Sequence, residues 1–166
     1  MNNHEIERKF FIQKNDLPPD LGQYEARKLV QGYLCTKPTV RVRKEDASYY
    51  LTYKGRPSED GLDRVEYNLP LEEASFEKLL EKCDGTVISK TRYLIPYTPN
   101  EGQEYTIELD VFDAPFEGLY YAEVEFEDVA GAQAFVKPAW FGTEVTDLPG
   151  YSNAALARTG RIPEDV

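Results

Sequence analysis

The 166-residue chain has few of the residues that mark several common protein classes. Two cysteines, Cys35 and Cys83, without a CxxC motif are too few for a disulfide-stabilised secreted domain and favour reduced thiols in a cytoplasmic protein. The single histidine, His4, has no accompanying catalytic constellation, so we expect it to flank a strand. No apolar run approaches the ~18 residues of a membrane span, and the polar N-terminus MNNHEIERKF is unlike a secretory signal.

Positive charge is also scarce, with 19 Lys and Arg against 30 Asp and Glu and a formal net charge of -11. This balance argues against nonspecific binding to nucleic acid or membranes, both of which are anionic. It leaves room for an anionic small molecule, because a local basic pocket can override the global field. The length and a hydrophobic content of 41% suit one globular domain over residues 1–166, with a core at about 3–158.

The chain is rich in runs that alternate polar with apolar residues and end at short turns, a pattern typical of antiparallel strands. We predict eight strands at about residues 4–12, 26–36, 39–45, 48–54, 63–70, 86–97, 103–113 and 119–127. Helical spacing predicts a helix at about 72–84 with Gly85 as its stop, and a second at about 128–136. A helical turn at about 152–158, capped by Ser152 or Asn153, and a frayed tail RIPEDV complete the chain.

Charges recur at i and i+2 along the predicted strands, and side chains at that spacing share one face. Five such pairs carry charges of the same sign: Glu5 and Glu7, Arg41 and Arg43, Lys90 and Arg92, Glu108 and Asp110, Glu123 and Glu125. A solvated sheet face is the simpler explanation, but like charges only ~7 Å apart repel each other. Since amphipathic helices are available to cover the apolar face, we predict a closed, eight-stranded antiparallel β-barrel of mainly β class. Its lumen is charged and its few helices pack outside.

The predicted lumen balances its charges although the whole chain does not. Its acids are Glu5, Glu7, Glu66, Glu108, Asp110, Glu123 and Glu125, and its bases are Lys9, Arg41, Arg43, Lys54, Arg64, Lys90 and Arg92. The two signs come largely from different strands. Clustered carboxylates hold hard divalent cations, and arginine and lysine are the usual phosphate ligands. The pattern therefore predicts a site for a metal and a polyphosphate.

These residues also lie in segments that resemble a known family. The segments are HEIERKF at 4–10, QGYL at 31–34, RVR at 41–43, LTYKG at 51–55, RVEY at 64–67, KTRY at 90–93, IELDVF at 107–112, GLYYAEVEF at 118–126 and WFGTEVTDLPGYSNAALA at 140–157. Nearly the whole chain is similar to short bacterial CYTH proteins of the triphosphate tunnel metalloenzymes. One departure is Asn68, where the family often has a second acid in the fifth strand, and this removes one possible carboxylate at a tunnel end.

The resemblance implies an eight-stranded tunnel, dependence on Mg²⁺ or Mn²⁺, and hydrolysis of a triphosphate, with inorganic tripolyphosphate as the expected substrate. The first alternative is hydrolysis of an organic triphosphate, such as thiamine triphosphate or a nucleotide, or the activity of a class IV adenylate cyclase. A noncatalytic polyphosphate- or nucleotide-binding module is an alternative of another class. We expect a monomer or homodimer in the cytoplasm.

Residue roles follow from the barrel and the resemblance together. The first and last strands meet where a barrel closes, so Glu5, Glu7, Glu123 and Glu125 are the expected metal ligands. Glu108 and Asp110 either join them or hold tunnel bases by ion pairing. The expected phosphate ligands are Lys9, Arg41, Arg43, Lys54, Arg64, Lys90 and Arg92. The family suggests that Lys9 and Tyr33 form a catalytic pair that activates water, while a buried Tyr33 with one hydrogen bond is the structural alternative.

Overall fold

The computed structural model describes residues 3–164, so the last two residues of the predicted frayed tail lie outside the described part. Its strands are β1 (His4–Phe11), β2 (Glu25–Thr36), β3 (Thr39–Glu45), β4 (Ser48–Pro57), β5 (Asp63–Pro70), β6 (Asp84–Asn100), β7 (Gln103–Phe112) and β8 (Tyr120–Glu125). Its α-helices are α1 (Glu73–Leu80), α2 (Val129–Ala134) and α3 (Asn153–Thr159). Two single turns of 3₁₀ helix, Lys14–Asp16 and Leu21–Gln23, lie between β1 and β2.

The eight strands form a closed barrel in the order β1-β5-β4-β3-β2-β6-β7-β8, and every neighbouring pair is antiparallel. The prediction of a closed, eight-stranded antiparallel barrel is therefore confirmed. Strand β1 closes it, pairing with β5 through its first residues and with β8 from Glu7 onward. Ile6 pairs with Asp63, the first residue of β5, and beyond it the C-terminal chain takes the place of β5. The Phe11 amide donates to the Thr143 carbonyl (2.8 Å) and the Val145 amide to the Lys9 carbonyl (2.8 Å).

The apolar face of the barrel is covered unevenly. A cluster containing Phe10, Leu109 and Val124 is covered by Phe135 and Phe141, which follow α2 along the chain. Helix α1 lies over β2–β4, where Phe76 packs against Tyr49 with ring centroids 5.3 Å apart. The outer face of β4 and β5 is open by contrast, with Tyr53, Tyr67 and Leu69 among the exposed apolar side chains.

A second apolar cluster lies inside one end of the barrel, which the strand pattern did not predict. Tyr33, Ile88, Phe112 and Tyr121 share the strand face of the charged residues, and Leu156 and Ala157 of α3 pack against them. Helix α3 thus closes this side of the barrel end.

Gly85 does not have its predicted role as the stop of the first helix. Helix α1 ends at Leu80, and tight turns with hydrogen bonds from Lys82 and Cys83 back to Leu79 and Leu80 lead directly into β6. Gly85 is already in that strand, with φ +75, and a Cβ there would lie 2.3 Å from the Ala157 carbonyl oxygen. The glycine is therefore required by the approach of α3 and not by the end of α1.

Within residues 3–164 no helix combines the length and apolar character needed to cross a membrane. Cys35 and Cys83 are both free thiols.

Candidate functional site

The barrel encloses a cavity of about 1090 Å³ to which all eight strands contribute. Antiparallel partners share a face, so the inward side of one strand sets that of its neighbours. The predicted charged residues that line the cavity are Glu5, Glu7, Lys9, Arg41, Arg43, Lys54, Arg64, Glu66, Arg92, Glu108, Glu123 and Glu125. Lys90 and Asp110 lie beneath this lining with fully buried side chains. The charged strand face is therefore turned inward.

Three of the expected metal ligands form a cluster. Oxygen atoms of Glu5, Glu7 and Glu125 all lie within 4.8 Å of one another, because Glu7 pairs with Glu125 across the β1–β8 seam. Burial, with Glu123 and Glu5 nearby, raises the pKa of Glu7 well above its usual value. Desolvation and neighbouring carboxylates raise the pKa of Glu125 to about 7. Crowded carboxylates of this kind fit a hard divalent cation, which takes oxygen ligands and relieves their repulsion.

Glu123, the fourth expected ligand, is engaged with bases instead. Its carboxylate lies 3.6 Å from the Lys9 ammonium and 3.5 Å from the Arg92 guanidinium. Although burial opposes it, these two cations hold the pKa of Glu123 well below its usual range. Glu123 is therefore an anion that locates Lys9 and Arg92 beside the carboxylate cluster.

Asp110 and Glu108 hold two bases of β6. The Arg92 guanidinium donates both Nε and a terminal nitrogen to Asp110, at 2.8 and 2.9 Å, and its other terminal nitrogen to Glu108 at 2.9 Å. Lys90 lies 2.7 Å from Asp110. Burial lowers the pKa of the Lys90 ammonium to about 7, although Asp110 opposes that effect. These contacts match the second of the two roles predicted for Glu108 and Asp110, which is ion pairing with tunnel bases.

Arg41, Arg43 and Arg64 have only neutral hydrogen-bond partners among residues 3–164. Arg41 donates to the Thr52 hydroxyl (3.3 Å), and its buried Nε has no hydrogen-bond partner within the described chain. Arg43 Nε donates to the Gln31 side-chain oxygen at 2.9 Å. Arg64 donates to the Gly55 carbonyl (2.7 Å) and to a threonine hydroxyl. Buried positive charge without a carboxylate partner is costly unless an anion enters, so this arrangement of arginines suits an anionic ligand.

Lys54 lies between the carboxylate cluster of Glu5, Glu7 and Glu125 and the arginines Arg41, Arg43 and Arg64. Its ammonium lies 2.9 Å from Glu5 and 3.5 Å from Glu66, so it borders the carboxylate cluster from the side of the arginines. Asn68, the departure from the family pattern in the fifth strand, donates to Glu66 at 2.9 Å and accepts from Thr52 at 2.6 Å. The fifth strand therefore contributes an amide that orients its neighbours.

Lys9 and Tyr33 both line the cavity, but each has another partner in this structure. The Tyr33 hydroxyl accepts a hydrogen bond from the Gln31 amide at 3.1 Å. The Lys9 ammonium lies near Glu123 and 5.2 Å from the ring centre of Tyr121. Their predicted action as a pair stays a prediction.

Sequence reasoning missed neutral polar residues of the lumen, chiefly Gln31 and Thr52. Gln31 and Thr52 share the inward strand face with charged neighbours, and that spacing was the available signal. Arg8 lies on the outer face of β1 and is half-buried there, where its guanidinium donates to Glu144 at 2.6 and 2.8 Å. His4 starts β1 and contacts Asp63 at 2.7 Å.

Comparison with known proteins agrees with this architecture. The CYTH domain matches residues 3–151. The chain belongs to the CYTH domain family. It is 42% identical to the inorganic triphosphatase of Nitrosomonas europaea over 159 residues, covering 92% of this chain and 96% of the relative. It is 36% identical to the inorganic triphosphatase of Acetivibrio thermocellus, covering 93% of each chain.

Solved structures give the same grouping. A crystal structure of an inorganic triphosphatase superposes with a TM-score of 0.61 at 38% identity, covering 92% of this chain and 93% of the other. A Hippeastrum protein, described as an adenylyl cyclase with a dominant triphosphatase activity, superposes with a TM-score of 0.65 over 96% of this CYTH chain and 98% of its own. At 15% identity the latter shows the shared fold alone.

Proposed function

We propose that this CYTH protein hydrolyses inorganic tripolyphosphate to pyrophosphate and phosphate in its tunnel, with Mg²⁺ or Mn²⁺. The observation that carries the proposal is the division of the cavity into two parts. Glu5, Glu7 and Glu125 crowd their carboxylates at the β1–β8 seam, while Arg41, Arg43 and Arg64 are held by neutral partners only. A metal-bound polyanion satisfies both parts at once. The two curated relatives named inorganic triphosphatases support tripolyphosphate as the substrate.

The carboxylate cluster is the proposed metal site. A bound divalent cation there would neutralise charge on phosphate oxygens and favour attack at phosphorus. The geometry favours Glu5, Glu7 and Glu125 as its direct ligands. Glu123, Glu108 and Asp110 were also predicted as ligands, and their contacts favour a supporting role in which they hold Lys9, Lys90 and Arg92 in place.

The arginines bind the phosphate chain. Arg41, Arg43 and Arg64 present donors that no carboxylate of the described chain occupies, and a guanidinium fork matches phosphate oxygens. Lys54 and Arg92 add positive charge between these arginines and the carboxylate cluster. Lys90 lies beneath the cavity lining and pairs with Asp110, and Asp110 in turn holds Arg92. Lys90 therefore supports phosphate binding indirectly.

Lys9 and Tyr33 align the terminal phosphate and the attacking water in this proposal. The Lys9 ammonium donates to a terminal phosphate oxygen, and the Tyr33 hydroxyl accepts a hydrogen bond from the water. The water oxygen bonds to the terminal phosphorus as the bridging P–O bond breaks, pyrophosphate leaves with that electron pair, and the water proton passes to solvent in the cavity. Holding the reactants in line in this way accounts for much of the catalysis of phosphoryl transfer.

Phosphate release tests the proposal directly. Tripolyphosphate, ATP and thiamine triphosphate are assayed side by side with Mg²⁺, Mn²⁺ or EDTA. The organic substrates are included because a cavity of about 1090 Å³ has room for more than three phosphates. We expect fast, metal-dependent release from tripolyphosphate. Preference for ATP or thiamine triphosphate would move the function to an organic triphosphatase, cyclic product from ATP would indicate a cyclase, and binding without turnover would indicate a binding module.

The remaining predictions concern the oligomeric state, the cellular location and the partner of the protein. A monomer or homodimer in the cytoplasm, with a small-molecule triphosphate as its partner, is still expected. Gel filtration with light scattering and cell fractionation measure these directly.

A further inference from the structure

Ser152 and Asn153, the two residues that the sequence offered as caps of α3, have different roles in the structure. The Ser152 hydroxyl accepts a hydrogen bond from the Ala155 amide at 3.0 Å, so Ser152 is the helix cap. Asn153 is therefore not needed for capping. Its side chain is buried, with 8% exposure, and lines the end of the tunnel cavity.

Asn153 contacts two strands of the tunnel wall. Its side-chain oxygen accepts from the Lys90 ammonium on β6 at 3.0 Å and from the Gln31 amide on β2 at 3.5 Å. Lys90 and Gln31 have no solvent exposure. A buried ammonium and a buried amide thus share one acceptor that comes from the C-terminal helix.

The contacts continue from Gln31 to the proposed substrate site. The Gln31 side-chain oxygen accepts from Arg43 Nε at 2.9 Å, and its amide also donates to the Tyr33 hydroxyl at 3.1 Å. Since the two atoms are on opposite sides of one planar group, an amide whose nitrogen faces Tyr33 and Asn153 presents its oxygen to Arg43. Asn153 thus acts together with Tyr33 in orienting Gln31 and, through it, Arg43.

A neutral acceptor suits this position for an electrostatic reason. Lys90 already has an anionic partner in Asp110, and a further carboxylate near Arg43 would compete with an anionic substrate for its guanidinium. The amide oxygen satisfies Lys90 and Gln31 without adding negative charge. Arg43 is thereby held in place while its charge stays available.

We propose that Asn153 is a positioning residue for polyphosphate binding, acting on Arg43 through Gln31 and on Arg92 through Lys90 and Asp110. This inference rests on the proposed function and extends it, since it makes α3 a part of the substrate site and not only an apolar closure of the barrel end. Asn153 itself does not touch the reacting atoms.

The test is tripolyphosphate binding by calorimetry in EDTA, together with kcat and KM in Mg²⁺, for the wild type and Asn153→Ala. We expect Kd and KM to rise about tenfold, the size of one lost hydrogen bond in a charged network, with a smaller change in kcat. Ser152→Ala is the matched control: it loses the cap bond one residue away, so its melting temperature should fall while Kd stays within about twofold.

A double-mutant cycle identifies the route. If Asn153 acts through Gln31, the effects of Asn153→Ala and Gln31→Ala on Kd are non-additive, because the second change removes a contact that the first has already disabled. Unchanged Kd in Asn153→Ala, or full additivity with both Gln31→Ala and Lys90→Met, overturns the inference. Because binding is measured without turnover, a wild type that binds but does not hydrolyse tripolyphosphate refutes the proposed activity and leaves this test intact.

Discussion

Glu7 and Glu125 face each other directly across the seam where β1 meets β8 and the barrel closes. Together with Glu5 they bring three carboxylate oxygens within 4.8 Å of one another. Residues separated by more than a hundred positions thus form a single candidate metal site, and its repulsion in the metal-free protein leads to the first two predictions.

Glu7→Gln should abolish metal-dependent turnover and leave the fold intact. The amide keeps the shape of the side chain but removes a charged ligand, and it also relieves repulsion in the metal-free protein. We expect the melting temperature in EDTA to be equal to or above that of the wild type, and the increase produced by Mg²⁺ to be lost. Glu77→Gln, at an exposed position of α1, is the control and should behave like the wild type. Near-normal turnover in Glu7→Gln would rule out this metal site.

The metal-free protein should lose stability as the pH rises from about 5 to 7. The pKa of Glu7 is raised well above its ordinary value and that of Glu125 to about 7, so the folded state binds more protons than the unfolded state in this window. Their contribution is fully present below an unfolded pKa of ~4.3 and is lost as the pH passes through the folded values. Thermal unfolding in EDTA measures the trend, and saturating Mg²⁺ should reverse it. A melting temperature that rises over this range without metal is the contrary result.

Arg41→Met should separate stability from substrate binding. Arg41 is buried, its Nε lacks a hydrogen-bond partner in the described chain, and its guanidinium donates one hydrogen bond, to the Thr52 hydroxyl. Removing it should leave the unfolding free energy unchanged or raise it, while KM for tripolyphosphate rises about tenfold or more through loss of a charge-assisted contact. Denaturant unfolding and steady-state kinetics on one preparation give both quantities. A large loss of stability would show that Arg41 holds the barrel together.

Lys90→Met should lower the stability of the protein, in contrast to Arg41→Met, which should mainly weaken tripolyphosphate binding. Lys90 is fully buried and pairs with Asp110, so its removal leaves a buried carboxylate with one cation fewer. Breaking a buried ion pair costs about 3–5 kcal/mol, and we expect a loss near the lower figure because Arg92 still holds Asp110. Urea unfolding measures the loss. If Lys90→Met is as stable as the wild type but fails to bind tripolyphosphate, Lys90 is a direct phosphate ligand, as the sequence first suggested.

Much of the fold was predictable because strand geometry is local. Alternation at i and i+2 identified all eight strands, and the shared face of Arg41 and Arg43 followed from the pleat alone. The like-signed pairs predicted the charged lumen for the same reason. The presence of an acid cluster where β1 meets β8 followed from closure, since the first and last strands of such a barrel become neighbours.

The partner of each charge was not predictable, because it depends on register across strands and on contacts between distant parts of the chain. The sequence presented Glu123 and Glu125 as equivalent, yet Glu125 joins the carboxylate cluster and Glu123 holds Lys9 and Arg92. It likewise presented Ser152 and Asn153 as two possible caps.

Residue type and spacing thus established an inward-facing charged barrel, since the direction of a strand side chain is settled by its own backbone. The division of that lumen into paired and unpaired charges arises only in the folded chain. Asn153 reaches Gln31 across 122 positions of sequence, and Lys90 across 63. Such contacts require α3 to dock inside the barrel end, and that docking depends on Gly85, Leu156 and the apolar cluster acting together.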